Sequence, residues 1–173
     1  QMIIGRSYNT TVPTVPGGPV IERTESRPWY GLYMGSAEVN LYLAEFKLLG
    51  ANLPQSAEYY YNRGVRASVE EYDRLAGLNQ IAYYGTTYDY DPNEVSIELK
   101  DGEIDAMMAN ADYQLTGNDA EQLEKVYLQQ MLNFTLYPNE QFITARRTGL
   151  PKFNSSLLAR ENFSLVPVTN IPR

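Results

Sequence analysis

The chain has 173 residues, 43% of them hydrophobic, enough for one domain or part of a larger one with a buried core, and not the composition of a disordered tail. It holds neither cysteine nor histidine, which excludes disulfides, thiolate metal sites, Ser-His and Cys-His catalysis, and ordinary zinc or iron centres. A formal charge of −7 opposes a grip on phosphate backbones, so nucleic acid is not expected as a partner.

No run approaches the roughly 20 apolar residues of a membrane-spanning helix, and Gln1 opens no basic-then-apolar signal region. Fifteen tyrosines stand against one tryptophan and five phenylalanines. Such rings, apolar on the face and polar at the tip, suit sugars and peptides. Residues 1–33 are rich in proline, glycine and β-branched side chains, as in Thr11-Val12-Pro13-Thr14-Val15-Pro16-Gly17-Gly18-Pro19, and read as extended or looped backbone. From there a helix is predicted, with Ser36 as N-cap, an apolar face of Val39, Tyr42, Leu43, Phe46 and Leu49, and Gly50 as its stop.

A second helix follows a short link, with Pro54 in its first turn and a stripe of Ala57, Tyr61, Gly64, Ser68, Tyr72 and Leu75. The two should pack antiparallel as a tetratricopeptide-like hairpin, the small residues Gly64, Ala67 and Ser68 letting the partner backbone come close. One such hairpin cannot bury its face alone, so the chain is expected to be a fragment of a larger all-α domain with long irregular loops: a loop region at 1–35 and a helical part at 36–173. Residues 80–101 form an aromatic, polar excursion, and 103–113 a weak helix. Asn118 or Asp119 caps a strong helix bearing Val126, Leu128, Leu132 and Thr135 that halts at Pro138. A shorter helix runs from 139 to about 147, closed by Gly149 and Pro151. The remainder, ending on Arg173 in mid-segment, reads as truncated.

Three stretches together resemble the SusD/RagB-type outer-membrane glycan-binding lipoproteins, in their SusD-like branch. The first is Ser36-Ala37-Glu38-Val39-Asn40-Leu41-Tyr42-Leu43-Ala44-Glu45-Phe46-Lys47-Leu48-Leu49-Gly50, similar to a family helix with an Ala-Glu-Val start, a later Ala-Glu and a closing glycine. The second is Ala57-Glu58-Tyr59-Tyr60-Tyr61-Asn62-Arg63-Gly64-Val65-Arg66-Ala67-Ser68-Val69, similar to its tyrosine-rich helix. The third, Arg146-Arg147-Thr148-Gly149-Leu150-Pro151, matches its Arg-Arg-Thr-Gly-x-Pro signature. Where the family often has Gln-Lys-Trp ahead of that signature, this chain has Gln130-Met131-Leu132. The resemblance implies a lipid-anchored protein on the extracellular face of a Gram-negative outer membrane, tethered through an N-terminal cysteine absent from this chain. It also implies that the protein captures oligosaccharide or polysaccharide and delivers it to a SusC-like TonB-dependent transporter, with no catalytic step and no cofactor.

For the glycan, the loop aromatics Trp29, Tyr30, Tyr83, Tyr84, Tyr88 and Tyr90 are the stacking candidates, with Asp89 and Asp91 as hydroxyl acceptors. Tyr42, Tyr59, Tyr60, Tyr61 and Tyr72, lying on helices, are expected to pack. Arg146 and Arg147, at a helix C-terminus, are expected to satisfy carbonyls or pair with an internal carboxylate, and Arg146, Arg147, Thr148, Gly149 and Pro151 to serve the fold. Asp89, Asp91, Asn93 and Glu94 echo a calcium loop without its glycine turn or bidentate acid, so no metal is expected. Two other functions compete: a helical protein-protein scaffold with no ligand site of its own, and a glycosidase using a carboxylate pair drawn from Glu38, Glu45, Asp89 and Asp91.

Overall fold

A computed structural model describes residues 34–78 and 98–150, together with Lys152, Ser155 and Leu157. The described residues are all-α: helices α1 (Ser36–Leu48), α2 (Ala57–Leu78), α3 (Glu103–Met108), α4 (Asp119–Asn133) and α5 (Pro138–Thr148), with no strand among them.

Helix α1 stops where its sequence says it should. Gly50 takes a left-handed φ of +96°. Its N–H donates to the Lys47 carbonyl at 3.1 Å and that of Ala51 to the Phe46 carbonyl at 2.8 Å, the two-bond glycine cap that satisfies the last carbonyls of a helix. The start differs from expectation. Gly35 holds the N-cap position and Ser36 is already helical, its carbonyl accepting from Asn40 Nδ2 at 2.8 Å.

The buried face of α1 is also not the predicted one. Ala37, Asn40, Leu41, Ala44 and Glu45 point inward, whereas Val39, Phe46 and Leu49 are 38%, 49% and 61% exposed. Apolar residues surround this helix, so their spacing offers two faces, and the fold buries the one with small side chains because it admits α2 closely. On the outer face Tyr42 and Phe46 stack on each other, centroids 6.2 Å apart.

Helix α2 begins at Ala57. Pro54 lies in the link rather than in the first turn, and the Ser56 hydroxyl accepts from the Tyr59 N–H at 3.1 Å as an N-cap side chain does. Its predicted stripe is the packed one: Tyr61, Gly64, Ser68 and Leu75 are buried, joined by Tyr60, Val65 and Ala76. Gly64 meets Leu41, each seven positions from the helix end nearest the link, so both helices run away from the link side by side and the hairpin is antiparallel.

Helix α3 covers only the first half of the predicted weak helix. The turns after it are tied down by Lys125, whose ammonium donates to the carbonyls of Ala111 and Gln114. Helix α4 opens with a capping box. The Asn118 side chain accepts from the Ala120 and Glu121 N–H groups at 3.0 and 3.1 Å, and Glu121 accepts from the Asn118 N–H at 2.8 Å. Asn118→Ala should therefore cost about 1 kcal/mol in chemical denaturation, and Asn118→Asp little. An unchanged midpoint in the alanine variant would show that the box adds nothing.

Of the residues expected on this helix, Val126 and Leu128 are buried, Leu132 is exposed, and Thr135 lies beyond its end. The helix ends at Asn133 because Phe134, 4% exposed, turns into the core and the chain folds back, the Tyr137 N–H reaching the Phe134 carbonyl at 2.8 Å. Pro138 then opens α5, where its missing N–H costs nothing. Leu41, Ala44, Tyr60, Tyr61, Val65 and Val126 form the centre of the core, which α1, α2 and α4 share and Leu115 seals.

Candidate functional site

Two arrangements rise above ordinary packing. The first joins distant parts of the chain. Glu45, on the inner face of α1, has a side chain only 3% exposed. A carboxylate there must be paired, and Arg147 from the last turn of α5 does so with both terminal nitrogens, Nη1 to Oε1 and Nη2 to Oε2, the latter at 3.1 Å. Gln130 of α4 closes the triangle, donating through Nε2 to Glu45 Oε2 at 2.8 Å and accepting from Arg147 Nη2 at 2.9 Å. The guanidinium also lies over two rings, 5.9 Å from the Tyr42 centroid and 5.4 Å from that of Tyr127. The hydrogen bonds to Glu45 push its pKa further above the ordinary guanidinium value. Three helices thus meet on one closed network, in which both Glu45 oxygens are taken up by Arg147 and Gln130.

The second is a cleft of about 480 Å³ where the start of α1, the second half of α2 and the α4–α5 corner come together. Met34 and Ala37 form one wall, Ala67 and Leu75 another, and Phe134 and Tyr137 the third. Tyr72 crosses between them, its hydroxyl donating to the Asn133 carbonyl at 2.9 Å and so completing the C-terminus of α4. Three carboxylates reach the cleft. Glu71 grips Arg74 through two hydrogen bonds of 2.9 and 3.0 Å, so that charge is offset. Glu38 and Glu140 each stand in the first turn of their helix. Burial pushes the Glu38 carboxyl up, against the pull of the Gly35 backbone, and Glu140 pushes it further. Such a site offers ring edges and hydrogen-bond acceptors and a negative field. Those features fit a hydroxyl-rich neutral ligand better than an anionic one.

Of the residues singled out from the sequence, Arg147, Thr148 and Gly149 come together at the end of α5. Gly149 takes the left-handed cap, φ +72°, and the Thr148 hydroxyl donates to the Thr144 carbonyl at 2.7 Å. Arg146 sits 5.6 Å above the Phe142 ring. Tyr60 and Tyr61 are buried, Tyr42 and Tyr72 half-buried, and Tyr59 is 42% exposed. Trp29, Tyr30, Tyr83, Tyr84, Tyr88, Tyr90, Asp89, Asp91 and Pro151 lie outside the described residues. The segments that carry the aromatic ones adjoin Met34 and Leu78, and Met34 and Leu75 belong to the cleft. Sequence reasoning assigned no role to Tyr127 or to Gln130, which it named only where the chain departs from the family's Gln-Lys-Trp step.

No helix among the described residues is long and apolar enough to cross a membrane, and no group of three or more metal-ligating side chains occurs among them. No curated protein matches the chain. Residues 19–169 match the family model SusD-like, described as SusD and RagB outer membrane lipoprotein, a family whose general role is glycan binding at the outer membrane, and the chain belongs to that family.

Proposed function

We propose that this protein holds an oligosaccharide at the extracellular face of the outer membrane, to which an N-terminal lipid tethers it, and delivers it to a SusC-like TonB-dependent transporter without chemical change. The observation that carries this reading is the family match across residues 19–169. The cleft between α1, α2 and the α4–α5 corner supports it, being concave, partly aromatic and rich in acceptors. The loop aromatics would supply stacking faces, and the cleft would take the hydroxyl groups.

Affinity electrophoresis of the protein through gels containing a panel of polysaccharides tests it. Retardation in at least one gel, lost when Trp29, Tyr83, Tyr84, Tyr88 and Tyr90 become alanine, is the expected result. No retardation in any gel, with the transporter still co-purifying, would make the protein a scaffold. Release of reducing ends from a retained glycan that stops in Glu38→Gln would make it a hydrolase, with Glu38 and Glu140 as the carboxylates to examine.

A further inference from the structure

On the opposite half of α2 from the cleft is a shallow notch of about 440 Å³ that neither the core nor the cleft explains. Its rim is Tyr59, Asn62, Arg63 and Arg66 of α2, one helical stripe, and its floor is Met108 and Ala109 at the end of α3. The charge here runs against that of the chain as a whole. Arg66 pairs with Asp105, both side chains being well exposed, and Glu70 is close enough for Arg66 to feel it. Arg63 has no carboxylate partner among the described residues. It donates instead to the Tyr59 hydroxyl at 3.0 Å and lies over the Tyr59 ring, 5.6 Å from its centroid. The ring in turn is braced edge-on by Tyr60, which is buried. One guanidinium is thus held in place before any ligand arrives, beside an exposed ring and the amide of Asn62, with a second guanidinium one turn away.

We propose that this notch is a subsite for a carboxylate-bearing sugar, a uronic acid unit of the captured glycan. Arg63 would take the carboxylate through the fork of nitrogens that Tyr59 does not use, and Asn62 the neighbouring hydroxyls. The planar guanidinium suits a carboxylate because it can make two parallel hydrogen bonds, and its ordering against Tyr59 has already cost the side chain its rotamer freedom. The cleft, with Glu38 and Glu140, disfavours that same unit, so the notch and the cleft divide the glycan by charge. The proposal rests on the glycan-binding reading.

Isothermal titration of the full protein with an oligogalacturonate and with a neutral galacto-oligosaccharide of equal length tests it. Arg63→Gln should weaken oligogalacturonate binding about tenfold, the ratio that about 1.4 kcal/mol represents, and leave the neutral sugar unaffected. Asp105→Asn, which frees Arg66, should strengthen oligogalacturonate binding. Far-ultraviolet circular dichroism should show both variants folded. Binding of neutral sugar without oligogalacturonate, or oligogalacturonate binding indifferent to Arg63→Gln, overturns the subsite and leaves the glycan reading standing. Failure of every glycan to bind sinks both.

Discussion

Arg147→Met should lower the stability of the protein by about 3 kcal/mol, while Glu45→Gln should cost clearly less, about 1 to 2 kcal/mol. The two residues share one ion pair, yet their surroundings are unequal: the Glu45 side chain is 3% exposed and that of Arg147 40%. Removing the arginine leaves a carboxylate buried without its countercharge, with neutral donors such as the Gln130 amide in its place. Removing the glutamate's charge leaves a guanidinium that can turn to water and still rest on Tyr42 and Tyr127. Methionine roughly fills the space between those rings, so the loss reads charge rather than packing. Urea unfolding of both variants gives the comparison, and equal costs would mean that Glu45 is hydrated in solution. Glu45→Leu combined with Arg147→Met should recover much of the loss, since an apolar pair leaves no orphaned charge.

Gly64→Val should be comparably harmful, at about 3 kcal/mol or more, and Gly64→Ala should cost about 1 to 2 kcal/mol despite alanine's better helix propensity. A Cβ at position 64 would sit 2.7 and 2.8 Å from Leu41 Cγ and Cδ2 and 3.1 Å from the Leu41 backbone nitrogen. Leu41 is fully buried and has no empty space to move into, so the helices must separate. The gain in propensity is at most about 1 kcal/mol, and overpacking outweighs it. If steric conflict is the cause, Gly64→Ala with Leu41→Ala will be less destabilised than the sum of the single changes, which thermal unfolding of the four proteins would show. Strict additivity would assign the cost to something other than this contact.

The same glycine shows what a sequence can disclose. On α2 the small residues Gly64 and Ser68 mark the side that touches a neighbour, and the packed stripe follows from them. On α1 no such mark exists. Val39, Phe46 and Leu49 make as good a stripe as Ala37, Leu41 and Ala44, and only the presence of α2 and α4 decides between them. Glu45 looks like a surface residue of an ordinary amphipathic helix, because the arginine that makes its burial tolerable is 102 positions away. Helix ends were read well at Gly50, Asn118 and Gly149, where capping is a matter of adjacent residues, and poorly at Asn133, where a tertiary demand on Phe134 ends the helix before Pro138. The cleft was not legible at all. It exists because the start of α1, the second half of α2 and the α4–α5 corner meet, and none of its walls carries a local signature.

The span between Glu45 and Arg147 also bears on the order in which the fold assembles. The Leu41–Gly64 contact closes a loop of 23 positions (64 − 41), the Glu45–Arg147 contact one of 102. Loop closure at about 0.6 kcal/mol per doubling makes the longer loop roughly 1 kcal/mol dearer in chain entropy. The hairpin contact is thus the cheaper of the two to close, and φ-values near one for Leu41→Ala with values near zero for Arg147→Met are the expected result if it forms first. Until residues 138–148 have left the ribosome, Glu45 has no countercharge to bury against. The arrival of α5, and not formation of the hairpin, is then what completes the buried network of Glu45, Gln130 and Arg147.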